Sequence, residues 1–119
     1  QTLDQLEKHR LVSYSGHPAQ HLSAIRWLEM AGRQNGNRRV PAFSVNSVMA
    51  MKYAIRSGIG VGMLPDYLTE EESDLVTVLT EVEPPTLPVL YVYPEELKSS
   101  KRVQVLRDFL VSKTRAWKY

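Results

Sequence analysis

The chain has 119 residues, 43% of them hydrophobic and 24% charged, which predicts one globular domain with a single modest core. The lack of cysteine excludes disulfides and thiol catalysis and fits a reducing compartment, so we expect a cytoplasmic protein. A formal net charge of +2 is too small to predict a nucleic-acid-binding surface. No apolar run is long enough for a membrane span, and no signal peptide is recognisable. Because Gln1 rather than Met comes first, we expect a fragment or a processed form.

The amino-terminal half predicts strands and helices in alternation. In chain order these are a helical turn over 2–8, a strand over 11–14, a helix over 20–30, a strand over 39–44 and a helix over 47–57. Gly32 is placed to end the first long helix. Asn46 and Ser47 have side chains that favour a helix N-cap, so they predict the start of the second.

The carboxy-terminal half continues the same pattern. In chain order it predicts a strand over 59–64, a short helix over 66–71, strands over 75–79 and 87–93, and a final helix that begins after 98–100. Gly58 is expected to end the helix before it. Val103, Leu106 and Leu110 recur at helical spacing, so we expect them to face a core.

Strands separated by helices predict an α/β fold with a mixed, mostly parallel sheet flanked by helices. In such sheets, ligands bind beyond the carboxyl ends of the strands and beside helix N-termini. Three segments are therefore candidates for a ligand site: Tyr14-Ser15-Gly16, Ser44-Val45-Asn46-Ser47 and Leu64-Pro65-Asp66.

Each of these segments also has a purely structural interpretation. A helix N-terminus attracts anions, so Ser44, Asn46 and Ser47 could orient a carboxylate, or Asn46 or Ser47 could only cap the helix. Tyr14 and Ser15 could line a cleft or merely end a strand. Asp66 is more simply read as the cap of the short helix after it.

Other motifs do not support catalysis, a cofactor or a metal. The glycines at 58, 60 and 62 lie before and within a strand, whereas a dinucleotide fingerprint follows a strand and opens a helix. We interpret Gly60 and Gly62 as close-packing positions. His17 and His21 lack acidic or cysteine partners for a metal site, and no histidine accompanies a nucleophile in a catalytic context.

Two charged clusters are best interpreted as solvated surface. The acidic run 70–72 lies in a polar segment, where paired carboxylates would not be buried enough for acid–base catalysis. Arg33, Arg38 and Arg39 have no aromatic neighbour for base stacking, so we interpret them as a loop that favours solubility.

Residues 43–67, FSVNSVMAMKYAIRSGIGVGMLPDY, resemble the core of the second subdomain of LysR-type effector-binding domains. Further segments agree with that family in order and spacing: LEKHRLVSY, IRWLEMAG and SDLVTVLTEVEPPTLPVLYVYPEELKSSKRVQVLRDFL. No single motif is highly specific, but several weak matches in the same order, over nearly the whole chain, identify the family.

The resemblance implies a type II periplasmic-binding-protein-like fold, with 1–86 as the second effector-binding subdomain. Residues 87–119 would be a hinge strand and a helix that return to the first subdomain. A small metabolite would bind in the cleft between subdomains, and the strand-to-helix junction at Ser44, Asn46 and Ser47 would contribute to its site. The helix N-terminus, rather than the resemblance, favours an anionic metabolite. Together with the other strand ends, the predicted effector-binding residues are Ser44, Val45, Asn46, Ser47, Tyr14, Ser15, Pro65 and Asp66. The parent would be a homodimer or tetramer that contacts DNA only through a winged helix-turn-helix domain absent from this chain.

The family also implies that the helix over 47–57 contributes to an antiparallel dimer. The residues expected at that interface are Val48, Met49, Lys52 and Tyr53. The main alternative function is that of a solute-binding protein of a transporter, which shares the two-lobed architecture. An enzyme would need a catalytic or metal set, and an interaction fragment without a ligand is the third alternative.

Overall fold

The computed structural model describes residues 2–16, 24–33, 36–70 and 72–116. The chain divides into two compact units, Gln1–Leu87 and Pro88–Tyr119. Compactness does not identify a subdomain, so the assignment of 1–86 and 87–119 to two parts of an effector-binding domain stays a prediction. Among the described residues, no helix has both the length and the apolar character that a membrane crossing requires.

A small parallel sheet organises the first unit. Strand β1 (Val12–Tyr14) pairs in parallel with β2 (Phe43–Val45), with Ser13 opposite Ser44. On the other side of β1, the Val12 N–H donates to the Val61 carbonyl at 2.8 Å in a parallel bridge. The unit combines helices with strands that pair in parallel, which confirms the predicted α/β class. The finer prediction of the subdomain type is not decided by so small a sheet.

One helix covers one face of this sheet. Helix α2 (Val48–Arg56) begins at Ser47, whose side chain accepts a hydrogen bond from the Ala50 N–H at 3.3 Å. It ends before Gly58, whose φ of +75° is the left-handed conformation typical of a residue after a helix. Both helix limits are therefore confirmed.

The hydrophobic core of the first unit lies between α2 and the sheet. Its fully buried members are Val12, Met51 and Ala54, and the half-buried side chains packed against them are Tyr14, Val45, Ile55, Ile59 and Leu64. These residues come from both strands, α2 and the segment after it. The packing of this cluster therefore fixes where the strands end relative to the start of α2.

The opposite face of β1 is bonded to a much shorter helix, α1 (Trp27–Met30). The Ser13 hydroxyl donates to the Glu29 carboxylate from this face, while Val12 faces α2. The predicted helix over 20–30 is correct for its last turn, which residues 24–26 enter as a 3-10 turn. Its first part, 20–23, lies outside the described residues.

Several predicted strands are absent from the described structure. Residues 59–64 contribute only the bridge at Val61, and the strand predicted over 39–44 is reduced to β2. No strand forms over 75–79, where Leu79 has a φ of +59° that interrupts an extended strand. Residues 87–93 make no strand pairing within the part of the chain described. A strand needs a neighbour to pair its backbone, and β propensity alone does not supply one.

The second unit has a helix without a core. Helix α3 (Lys101–Thr114) follows a 3-10 turn over Glu95–Leu97, and none of its described residues is buried. Val103 is half-buried, whereas Leu106 is 48% exposed and Leu110 is 38% exposed, so this face is not packed on a core within the described part of the unit. The expectation that it faces a core stays a prediction. The unit is too short to enclose its own apolar surface.

The packing of α2 generates a first prediction. Met51→Ala deletes a side chain that is 0% exposed, and we expect it to lower the free energy of unfolding by about 2–5 kcal/mol. The matched control is Val76→Ala in the same unit, where the side chain is 83% exposed and the expected loss is about 0.5 kcal/mol. Urea denaturation measures both, and equal losses would contradict the core described here.

Candidate functional site

The carboxyl ends of β1 and β2 come together in the structure. Tyr14 lies opposite Val45, and the Ser15 N–H donates to the Val45 carbonyl at 3.0 Å. The next residue along the second strand, Asn46, is exposed. Two of the three segments predicted to line a ligand site are thus adjacent, through backbone hydrogen bonds.

The start of α2 lies at the same edge of the sheet. Ser47 and Ser44 are exposed, and the Ser47 side chain satisfies one of the N–H groups that a helix leaves free at its start. Its capping role is therefore confirmed. Contact with a ligand is not tested by this arrangement and stays a prediction for Ser44, Val45, Asn46 and Ser47.

The third predicted segment lies beyond Val61. Leu64 packs on the core cluster that Tyr14 and Val45 also contact, which places Pro65 one residue from that cluster. The expectation that Asp66 caps the following helix is wrong. Pro65 occupies the N-cap position of the 3-10 helix Asp66–Leu68, and no side chain caps it. Asp66 is already the first helical residue, so its side chain lies beyond the cap position.

A buried carboxylate was missed by the sequence analysis. Glu29 is 1% exposed, and its Oε1 accepts hydrogen bonds from the Ser13 hydroxyl at 2.6 Å and from Arg26 Nε at 2.7 Å. Arg26 Nη2 donates to the other carboxylate oxygen at 2.7 Å. This two-point ion pair is the geometry in which an arginine binds a carboxylate most strongly. Only the spacing of Arg26 and Glu29 on one helical face could have indicated it.

The environment of Glu29 changes its titration. Burial acts to raise the pKa of this carboxyl, but the hydrogen bonds from Arg26 and then Ser13 outweigh burial. The pKa therefore lies below its ordinary value of 4.5. Glu29 is ionised at neutral pH and neutralised by Arg26.

The interpretation of the arginine cluster as a solubility loop is wrong for Arg39. Its side chain is 8% exposed and donates to the Ala31 carbonyl at 2.6 Å and to Glu7 at 2.8 Å. Arg33 also binds Glu7, and this hydrogen bond is the main reason that the pKa of Glu7 lies below its ordinary value. The two arginines therefore tie the amino-terminal 3-10 helix, Leu3–Lys8, to the segment after α1.

Glu72, in the acidic run, is not simply part of a solvated face either. Glu72 is half-buried and pairs with Lys52 and with Arg56, both on α2. The Lys52 side chain is consequently only 12% exposed. Met49 and Tyr53, from the same set predicted at a dimer interface, are 44% and 58% exposed.

The close-packing interpretation of the strand glycines is confirmed. A Cβ on Gly60 would lie 2.2 Å from the Arg10 carbonyl oxygen, and one on Gly62 would lie 2.9 Å from that of Val12. The described residues contain no group of histidine, aspartate or glutamate side chains able to hold a metal. His17 and His21 lie outside the described residues.

Comparison with known proteins decides the family. The model of the family described as LysR substrate binding domain matches residues 1–115. The chain belongs to this family. No curated protein and no solved structure matches it.

Membership confirms the resemblance seen in the sequence and assigns the chain to transcription regulation and effector binding. LysR substrate-binding domains are regulatory modules rather than a family of enzymes.

Glu29 generates a second prediction. Glu29→Gln removes the charge that Arg26 and Ser13 bind, and we expect a loss of about 1.5–3 kcal/mol in the free energy of unfolding at neutral pH. Because the folded pKa is depressed, the stabilisation by Glu29 is present above pH 4.5 and is lost as the pH falls below it. The variant should therefore lose less stability than the original chain on acidification.

Denaturant unfolding at a series of pH values tests this. Glu81→Gln is the control, since Glu81 is exposed. Parallel stability–pH curves for the Glu29→Gln variant and the original chain would contradict the assigned role of the carboxylate.

Proposed function

We propose that this chain forms the effector-sensing part of a LysR-type transcriptional regulator and that its effector is a small anionic metabolite. The ligand would lie at the carboxyl ends of β1 and β2 and beside the start of α2. The residues proposed to contact it are Tyr14, Ser15, Ser44, Val45, Asn46, Ser47, Pro65 and Asp66. The main support for the proposal is the hydrogen bond from the Ser15 N–H to the Val45 carbonyl, which holds the two strand ends together beside the capped N-terminus of α2.

The preference for an anion follows from the donors available there. A helix N-terminus has backbone N–H groups without intrahelical acceptors and a partial positive charge of about half an elementary charge. The exposed hydroxyls of Ser44 and Ser47 and the amide of Asn46 add neutral donors. Such a set can bind a carboxylate without a dedicated cation.

In the regulator, we propose that residues 1–86 act as the second effector-binding subdomain and 87–119 as the segment that returns to the first. The effector acts by binding one arrangement of the subdomains better than another, which shifts the population towards the first. Another part of the regulator contacts DNA. The whole regulator works in the cytoplasm as a dimer or tetramer, and it catalyses no reaction.

A substitution at the helix cap tests the site without removing the cap. Ser47→Asp keeps a good N-capping side chain but places a negative charge where the anion would bind. We expect stability to be maintained and binding of small carboxylates to fall about ten-fold or more, because like charges repel in a partly desolvated site. Calorimetric titration of the intact regulator with lactate, succinate and benzoate, beside their amides, provides the measurement.

Ser57→Asp is the charge-matched control at the other end of α2, ten residues and about 15 Å along the helix axis from Ser47. It should leave carboxylate binding within about two-fold of the original, since salt screens charges at that distance. Equal binding by the Ser47→Asp variant and the original regulator, or a preference for the amides, would contradict an anion site at this helix start.

We further propose that α2 contributes to the regulator's dimer through Val48, Met49 and Tyr53, with Lys52 at the edge. The exposure of Met49 and Tyr53, one turn apart, supports this face as a contact surface. Lys52 is held by Glu72, so its aliphatic stem rather than its ammonium group is what it offers to a partner.

Met49→Lys introduces a charge into the centre of that proposed face. We expect the dimer dissociation constant of the intact regulator to rise about ten-fold or more, because a charge would be desolvated on association. Val76→Lys, at a side chain 83% exposed in the same unit, is the control. Analytical ultracentrifugation that finds equal dimer stability for the Met49→Lys variant and the control would contradict the assignment.

A further inference from the structure

The end of β1 is bonded to the buried ion pair through its backbone. Arg26 Nη1 donates to the Gly16 carbonyl at 3.2 Å, while Nε and Nη2 of the same guanidinium bind Glu29. Glu29 in turn accepts from the Ser13 hydroxyl. The ion pair therefore holds the chain at two points, Ser13 within β1 and Gly16 just after it, on either side of Tyr14 and Ser15.

We propose that Arg26 and Glu29 form a positioning pair that sets the geometry of the Ser15–Gly16 strand end and thereby the affinity of the effector site. The inference rests on the proposed function for the location of that site. Arg26 acts through the backbone it holds rather than by touching the effector.

The geometry favours positioning over direct ligand contact. Each of the three guanidinium nitrogens of Arg26 already donates to a protein acceptor, and its charge is neutralised by a carboxylate that is 1% exposed. An arginine committed in this way is a poor counter-ion for an incoming anion. It is well suited to hold a carbonyl, because the planar guanidinium fixes several hydrogen bonds in one orientation.

The strand end needs such a restraint. Gly16 has a φ of +88°, a conformation that leaves the regular strand, and glycine is the residue with the greatest backbone freedom. Ser15 is held on one side by its N–H bond to the Val45 carbonyl. The Arg26 hydrogen bond to the next carbonyl supplies the second restraint, so that the two together fix the backbone between them.

The Arg26→Lys substitution changes the hydrogen-bond geometry at Glu29 and Gly16 but keeps the positive charge. The lysine keeps the positive charge beside Glu29, but its single ammonium cannot reproduce the fork that binds Glu29 and the Gly16 carbonyl together. We expect carboxylate affinity in the intact regulator to fall about three- to ten-fold, as for the loss of one positioning hydrogen bond. The fall should be equal at low and high salt, since no charge is removed.

Arg38→Lys is the matched control. Arg38 also lies beside Glu29, with 3.9 Å between Arg38 Nη1 and Glu29 Oε2, but its side chain is 59% exposed. We expect it to leave the affinity for lactate, succinate and benzoate unchanged. Unchanged affinity in the Arg26→Lys variant, when the original regulator binds these carboxylates, would overturn the proposal, as would a loss that disappears at high salt.

Amide hydrogen exchange in the ligand-free protein gives a second readout that does not depend on the effector. Arg26→Lys should accelerate exchange of the Ser15 N–H, while Arg38→Lys should not. If the original regulator binds none of the carboxylates, the proposed function fails, and the amide exchange rates alone then test the positioning pair. Faster exchange at Ser15 in the Arg26→Lys variant supports the pair, and unchanged exchange overturns it.

Discussion

Strand β1 lies between two parallel partners, β2 on one side and Val61 on the other, and both of its faces are covered. Val12 is 1% exposed and packs on α2. Ser13, one residue along, bonds to Glu29 on the opposite face. The candidate site depends on this central placement, because β1 pairs with β2 so that the two strand ends are adjacent, and it packs on α2, which begins shortly after β2 ends.

The parts of this arrangement that the sequence predicts are those determined locally. Ser47 caps α2 and Gly58 follows its end, because side-chain capping and left-handed conformation are properties of single residues. The order of strand ends and helix starts likewise follows from the alternation of elements, and it predicted that Ser15 and Asn46 would lie at one edge. Membership of the LysR family, recognised from segments in order, is confirmed by the match over residues 1–115.

What the sequence did not predict depends on partners distant in the chain. Glu29 is buried against β1, where the hydroxyl of Ser13, sixteen residues earlier, donates to it, whereas a charged residue on a short helix ordinarily indicates solvent. Arg39 can be buried because Glu7 and the carbonyls of Leu28 and Ala31 satisfy its guanidinium. The predicted strands over 75–79 and 87–93 have suitable β-branched and aromatic residues, but pairing requires an edge to join, which composition does not reveal.

The most direct test of the central claim is the location of the bound anion. Backbone amide chemical shifts of the intact regulator, followed during titration with whichever of lactate, succinate and benzoate binds, report where the ligand lies. The account predicts that the largest changes occur at Ser15 and over residues 46–50, where two strand ends meet the start of α2. Changes concentrated instead at Arg33 and Arg38, or along α3, would contradict an effector site at this edge of the sheet.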